Sequence, residues 1–382
     1  MIRDYGAFAR IAIAGQIANH ESRIKDRRVP FYYDLHHLER AYGQRTANGL
    51  LRLKTGFLAD AVPERVRDSR LLLATWNIRE FESEKYGARE REALYYIAEI
   101  IDHFDIVAVQ EVREDLSSLE RVMRILGSWW DYLLTDVTRG PQGNLERMAF
   151  VYDTRKVRFG GLAGEVLVPP MKDAPSRQYA RTPFIVGFRT GWFKFTICSA
   201  HIYYGESTAE DPQRVREIQQ LAGHLADEVT RRRAWARNMI LLGDFNIFNV
   251  NDATFKALAA AGFQMHPKLL GVGSNVDQSK HFDQIAFIAP DLKDRLEECN
   301  AGVFNYYKYV YRDDDAAAYD ALVPKTSAGK PGSYRQWRTY QMSDHLPIWI
   351  ELRIDFSREY LQSMAGSGNA VMPISAPVAP NA

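Results

Sequence analysis

The sequence predicts an α/β fold in which mixed β-sheets are covered by helices. Two observations lead there. From Leu71 onward, short apolar runs with strand character alternate with longer segments of helical periodicity. In addition, several of the apolar runs end in a short polar signature. In order these are Thr75-Trp76-Asn77-Ile78, Val109-Gln110-Glu111-Val112, Ser199-Ala200-His201, Gly243-Asp244-Phe245-Asn246, Phe282-Asp283-Gln284-Ile285 and Ser343-Asp344-His345-Leu346-Pro347. The pattern delivers carboxylates, carboxamides and two imidazoles to the tips of strands.

Element by element, Leu71–Ile78 reads as a strand, Arg89–His103 as a helix and Ile106–Glu111 as a second strand. Met148–Tyr152 is another strand. Phe184–Phe188 and Phe193–His201 flank Arg189-Thr190-Gly191-Trp192, a hairpin turn. Gln213–Ala236 carries a long helical pattern, with Arg231-Arg232-Arg233 at its end, where cations complement the helix dipole. Strand Met239–Gly243 follows, then helix Ala253–Ala261 with Gly262 as its C-cap. Phe282–Ile288 and Leu346–Ile354 complete the strands. Ahead of all these, Tyr32–Leu53 and Thr55–Val66 are loosely helical and rich in arginine. They predict an N-terminal helical extension over residues 1–70, packed on a body spanning 71–355; a partner-binding or nucleic-acid arm is the other reading. The composition turns to Gly, Pro, Ala and Ser in the last stretch, which predicts a disordered tail over 356–382. There are no internal repeats.

With 382 residues, the chain has room for one large or two ordinary domains, and 46% hydrophobic residues can build a sizeable core. A formal net charge of +1 supplies no global basic field, which argues against tight nonspecific nucleic-acid binding but leaves room for local patches. Cys198 and Cys299 are too few for a disulfide framework, so a reducing cytosol is the simplest compartment. The mildly apolar Ile11–Ala18 lacks the core and cleavage site of a signal peptide, and no run of about 20 apolar residues predicts a membrane helix.

These residue types suit metal-assisted phosphoester hydrolysis. A phosphodiester is anionic and resists attack by water. A hard divalent cation, Mg²⁺ or Mn²⁺, neutralises developing charge and is held by oxygen ligands such as Glu111 and Asp344. Asp244 and Asn246 lie at i and i+2, which on a strand places both on one face: one to orient water, the other to donate to phosphate. His201 and His345 are the acid–base or charge-stabilising candidates. Asp283 is placed to fix the tautomer of His345, and Glu146 that of His201.

Taken in order, the motifs resemble those of the endonuclease/exonuclease/phosphatase superfamily, over residues 71–355. The resemblance implies a four-layer sandwich of two mixed β-sheets flanked by helices. It implies that Asn77 lies near the scissile phosphate and the metal, and that Glu111 is the principal metal ligand. Asp244 and Asn246 match the family's Gly-Asp-Phe-Asn segment, Asp344 and His345 its Ser-Asp-His-x-Pro segment, and Asp283 the aspartate paired with the last histidine. Two shorter matches lean toward the deoxyribonuclease branch: Leu145-Glu146-Arg147-Met148, where Glu146 would pair with His201, and Arg181-Thr182-Pro183-Phe184, where Arg181 would approach a phosphate.

Each signature has a bland reading, since a lone Asp-Phe-Asn is often a turn and a lone Ser-Asp-His is common. Their joint order is what points to a site. His103, His224 and His266 read as structural or exposed, and His281 is held in reserve because it lies two residues before Asp283. Tyr306–Tyr311, with Lys308, could stack bases or pack as an ordinary strand or loop. The function expected is divalent-metal-dependent phosphodiester hydrolysis, most naturally of DNA or RNA. The alternatives are hydrolysis of a phosphoinositide, sphingomyelin-like lipid or small phosphoester, or a silent binding module. No protein partner is indicated.

Overall fold

Successive side chains of a strand point to opposite faces of a sheet, and β1 (Arg70–Phe81) uses that rule on both sides. Leu71 and Leu73 bury in one apolar cluster, while Leu72, Ala74 and Trp76 bury in another. A strand buried on both faces must lie between two covering layers. The computed structural model describes residues 30–366 apart from 67, 84–86, 140–142, 168–178, 207, 232–233, 291–298 and 326–331. It contains those layers as α/β/β/α.

The first sheet joins β1 to β2 (Ile106–Val112), β3 (Trp130–Leu134), β4 (Arg147–Asp153), β11 (Ala301–Val303) and β12 (Ile348–Arg353), in the order β11-β12-β1-β2-β4-β3. The second contains β5 (Arg158–Glu165), β6 (Phe184–Thr190), β7 (Phe193–His201), β8 (Asn238–Asp244), β9 (Gln264–Met265) and β10 (Asp283–Ile288), in the order β5-β6-β7-β8-β10-β9. Both sheets are mixed: β1–β2 and β7–β8 are parallel, the remaining pairs antiparallel. Ile106, Phe150, Phe188, Phe195, Ile240 and Ile285 fill the space between the sheets. The outer face of the first sheet is covered by α1 (Arg40–Ala59), α2 (Arg91–Asp102) and α3 (Ser117–Leu126). That of the second is covered by α4 (Pro212–Thr230), through Ile218, Leu221 and Leu225, and by α5 (Ala253–Ala260), through Leu258.

Three expectations need adjusting. The N-terminal region forms one helix of 20 residues, with a short 3₁₀ turn over Tyr33–His37 before it, where two helical segments were expected. It packs on the body: Leu50, Leu53 and Phe57 are buried in the same cluster as β1 and α2. Gly49 lies so close to Tyr96 that a Cβ there would come within 2.2 Å of the phenolic oxygen. Residues 1–29 lie outside the described part. The long helix stops at Thr230, short of Ala236, because Trp235 turns back onto the sheet and packs where Gly160 and Gly187 leave room for its ring. Arg231 caps this helix and pairs with Glu228 at 2.5 Å, while Arg232 and Arg233 fall outside the described residues. Ser357–Met364, at the start of the expected tail, is helical (α8, with α6 at Pro267–Leu270 and α7 at Tyr334–Gln341 before it); residues 367–382 are outside the described part.

Candidate active site

Strand register alone sets the first row of the site. His201 on β7 lies beside Asp244 on β8, and Asp244 lies opposite Asp283 on β10. Gly243, at φ +127°, makes this possible: a Cβ there would come 2.0 Å from the carbonyl oxygen of Ala200. The other sheet supplies Asn77 from β1 and Glu111 from β2. Asn77 Nδ2 donates to Glu111 Oε1 at 2.9 Å and to Asp244 Oδ2 at 3.0 Å, a bond that spans the two sheets. Beneath it, Gln110 Nε2 donates to Ser199 Oγ at 2.9 Å and forms a second bridge.

Two carboxylate–imidazole pairs flank this core. Asp283 Oδ2 lies 2.8 Å from His345 Nδ1, the pairing expected from sequence. Burial opposes a charge on His345, but Asp283 and Asp244 outweigh it and raise the imidazole well above its usual 6.5. On the other side, Glu146 Oε2 lies 3.0 Å from His201 Nδ1, close enough for an ion pair although that nitrogen makes no well-aligned hydrogen bond. Glu146 also accepts from Arg181 Nε at 2.9 Å. Burial works against its ionisation, yet His201, Arg181 and Arg113 hold it at about 2. Asp244 Oδ2 then sits between both imidazoles, 3.5 Å from His201 Nε2 and 3.7 Å from His345 Nε2.

The backbone is strained where the chemistry gathers. Glu80, Glu111 and Asn246 have φ of +50°, +62° and +52°, a region that non-glycine residues seldom occupy and that clusters at functional sites. Asn246 shows why the i, i+2 argument from strand geometry fails. The strand ends at Asp244, whose Oδ1 accepts the Asn246 amide at 2.9 Å, so a side-chain-to-backbone turn brings the two residues together. Asn246 Nδ2 donates to the Ile202 carbonyl at 2.9 Å, which binds one amide hydrogen inside the protein rather than offering it outward.

The residues suit a hard cation. Glu111, Glu146 and His201 offer ligand atoms within 4.8 Å of one another, as do Asp244, Asp283 and His345. Asn77 Oδ1 is buried with no hydrogen-bond partner, beside Glu111. Burial, with Glu146 and Asp344 close by, pushes the Glu111 carboxyl up. A cation would relieve both conditions. Asp344 stands apart from the two compact groups, at the rim, with 42% of its side chain exposed and Arg79 Nη1 3.3 Å away.

Several supporting contacts had no recognisable signal in the sequence. Ser343 Oγ donates to the Asn77 carbonyl at 2.6 Å and accepts the amides of Arg79 and His345, tying the tip of β1 to the Ser-Asp-His segment. Trp76 Nε1 and Tyr306 Oη each donate to the His345 carbonyl, at 3.0 and 2.9 Å. Tyr307 Oη donates to the Ser343 carbonyl at 2.8 Å. Tyr306, Tyr307 and Tyr311 are buried, as the packed reading of this segment expects, and leave only the part-buried Tyr309 beside the exposed Lys308. Arg79 leans on Tyr340, 4.0 Å from the ring centre, and donates to Thr339. Only the spatial return of residues 334–345 to β1 brings these groups to the site.

No family model and no curated protein matches the chain. Solved structures that match include an endonuclease/exonuclease/phosphatase family protein from Bacteroides thetaiotaomicron, with 18% identity, TM-score 0.49, and coverage of 75% of this chain and 96% of that one. A mannosyl-6-phosphatase of the same organism has 16% identity, TM-score 0.47, and coverage of 73% and 98%. The human nocturnin catalytic domain, with a bound sulfate anion, has 13% identity, TM-score 0.48, and coverage of 75% and 95%. At this level of similarity no activity transfers to the chain, and its chemistry rests on its own residues.

Proposed function

We propose that this protein is a divalent-metal-dependent phosphodiesterase that acts on nucleic acid. The observation that carries the reaction class is the single polar centre in which Asn77, Glu111, Asp244, Asp283, His201 and His345 converge from two sheets, with the buried Asn77 oxygen left without a partner. When bound, Mg²⁺ or Mn²⁺ on Glu111 and the Asn77 oxygen, with Asp344 at the rim, would neutralise charge on a phosphoryl oxygen. Asp244, between the imidazoles, orients the attacking water and accepts its proton. His345, kept cationic by Asp283, stabilises charge on the phosphoryl group. His201, oriented by Glu146, serves the leaving oxygen, and Arg181 holds Glu146 in place beside the phosphate path. Residues 71–355 form the catalytic domain, with α1 as its fixed cover.

A row of rings favours nucleic acid over other phosphoesters. From His345 it runs through Phe282 (5.5 Å between ring centres) and Phe248 (5.5 Å) to Tyr204 (6.3 Å). Lys280 lies 4.4 Å from the Phe248 ring centre, and the buried Arg214, bonded to backbone carbonyls, backs the same ring at 5.2 Å. The rings of Phe282, Phe248 and Tyr204 are at least partly exposed, and phosphate chemistry alone does not need them; a base stacked next to the scissile phosphate does. Among the described residues no helix is long and apolar enough to cross a membrane. The two buried free cysteines suit the reducing cytosol proposed for the protein.

The test is nicking of supercoiled plasmid and cleavage of labelled single strands with Mg²⁺ or Mn²⁺. Activity should vanish with chelator and in His201→Ala, and Phe248→Ala should raise KM for oligonucleotides. Release of phosphate from sugar or inositol phosphates, with every nucleic acid untouched, would move the assignment to a small-phosphoester hydrolase. No hydrolysis of any phosphoester by a folded, metal-loaded protein would sink the reaction class.

A further inference from the structure

At the end of the second sheet remote from Asp244, three cations stand side by side. Strand register places Arg158 on β5 opposite Arg189 on β6, and Arg189 opposite Lys194 on β7. Residues directly opposite on neighbouring antiparallel strands have Cβ atoms about 5 Å apart on one face, and like charges there destabilise the sheet. None of the three side chains makes a hydrogen bond or ion pair among the described residues, and Arg189 Nε is buried without an acceptor. Arg189 and burial together lower the Lys194 ammonium from its usual range, with burial the larger cause.

The three line a cleft of about 670 Å³, a size that takes a small-molecule ligand. Two other cations on its wall are already matched: Arg155 pairs with Asp153 at 2.5 Å and Lys156 with Asp105 at 2.5 Å. Two carboxylates also reach the cleft. Asp355 accepts the Ser357 amide at 2.9 Å, and Asp68 has a partner of its own. The ring of Trp235 offers its face to Lys194 (4.2 Å) and Arg189 (5.7 Å). A ring face attracts cations, but it does not neutralise them or satisfy a guanidinium fork. Trp192, half-buried on the cleft wall, supplies a flat apolar surface beside the charges.

We propose that this cleft is a second anion site, separate from the catalytic centre, that binds a ligand bearing two or more linked phosphate groups. Guanidinium forks on adjacent strands suit phosphate oxygens bidentately, and Lys194 adds a point charge within the same row. A single phosphate would offset one cation, whereas a linked pair or triplet spans the ladder. The ligand's source is a free polyphosphate, such as a nucleoside triphosphate, or the headgroup of a multiply phosphorylated lipid.

The test uses the full-length protein with chelator present, so that the catalytic centre is not metal-loaded and hydrolysis plays no part. Tripolyphosphate and a nucleoside triphosphate are titrated against the melting temperature and by calorimetry, with sulfate at equal ionic strength as control. Vesicles of phosphatidylcholine with and without a phosphoinositide bisphosphate form the lipid arm. A saturable upward shift with the free polyphosphates, weakened tenfold or more in Arg158→Met/Arg189→Met, supports the site and a free ligand; tenfold corresponds to about 1.4 kcal/mol. Binding of bisphosphate vesicles alone, lost in the same variant, supports the site and a lipid source. Without ligand the double variant should melt no lower than the parent, since a repulsion has been removed, and its hydrolysis of a small model diester should be unchanged. If it fails to fold, Lys194→Met carries the same comparison. A shift that persists in the variants, an equal shift with sulfate, or no binding in either arm overturns the proposal.

Discussion

At the scale of single residues, the Asp283–His345 pair is the sharpest commitment. The two share one short contact and act as a unit, so their losses should be strongly non-additive. Asp283→Asn and His345→Ala should each cut turnover by orders of magnitude, and the double variant should be little worse than the poorer single one, compared among proteins of similar melting temperature. Fully multiplicative losses would remove the pairing role. The imidazole should also resist deprotonation. Its folded value lies above 6.5, so the stability it contributes is complete below that pH and lost as pH rises through the raised value. NMR of the ring should show a midpoint well above 6.5 in the parent and a lower one in Asp283→Asn. His103 behaves in the opposite sense. It stacks on Phe57 at 3.7 Å, and burial lowers it from 6.5 to about 4. Its neutral form contributes stability that is complete above pH 6.5 and lost as pH falls to about 4. Neighbouring Asp102, raised to about 6 by burial, tilts the same window the other way and masks the effect in the parent alone. The comparison is therefore with His103→Phe, which keeps the stack and Asp102. Its stability relative to the parent should improve steadily from pH 6.5 to 4; a constant difference would mean that His103 is already exposed to solvent protons. The residues that converge on the candidate site were legible in the sequence because each lies in or beside a strand and is bounded by characteristic neighbours. Asn246 was found for the wrong geometric reason, since a turn and not a strand aligns it with Asp244. Ser343 sat within a recognised signature, yet nothing in one dimension indicates that its hydroxyl reaches β1.

At the scale of elements, eight of the twelve strands followed from short apolar runs, with ends shifted by a few residues (β1, for example, runs on to Phe81 past the expected Ile78), while β3, β5, β9 and β11 were not anticipated. The first helix was less legible. Its apolar stripe is interrupted by arginines and glycines, and the glycines prove to be contact points: Gly49 against Tyr96 and Gly56 against Tyr309. This close packing can be tested. Gly49→Ala gains helix propensity but drives a methyl into Tyr96, a buried ring with little room to yield. We expect a net loss of about 1–3 kcal/mol, read as a lower urea midpoint at unchanged slope. A midpoint equal to or above that of the parent would show that the helix can lift away. Deletion of residues 1–60 should likewise fail to give a soluble fold, because Leu53 and Phe57 are part of the main core and Arg45–Glu92 and Lys54–Glu99 are ion pairs at 3.0 and 2.6 Å. A well-behaved truncated protein would show residues 1–60 to be a separable arm.

At the scale of the whole molecule, the centre is the meeting line of two sheets, and a cation should act on both at once. Mg²⁺ or Mn²⁺ should raise the melting temperature in proportion to the logarithm of its concentration once above Kd. Glu111→Gln should flatten that response while leaving the metal-free protein folded. An unchanged metal titration in that variant would displace Glu111 as ligand. Alternating periodicity made sheets covered by helices legible and the resemblance implied the four layers, but the spatial order of strands was not legible: nothing local in Ala301–Val303 or Ile348–Arg353 announces that they return to the first sheet after the whole of the second has been laid down. That return has a consequence in time. A chain leaving the ribosome can fold β1 to β4 and then the second sheet, but β12 must slot beside β1, and His345 with Asp344 arrives just ahead of it. Until the segment Ser343–His345 is free, Asp283 has no imidazole to hold and the β1 tip has no Ser343 clasp. A nascent chain tethered at that stage, in the midst of messenger, transfer and ribosomal RNA, carries the proposed site with its last part still inside the tunnel.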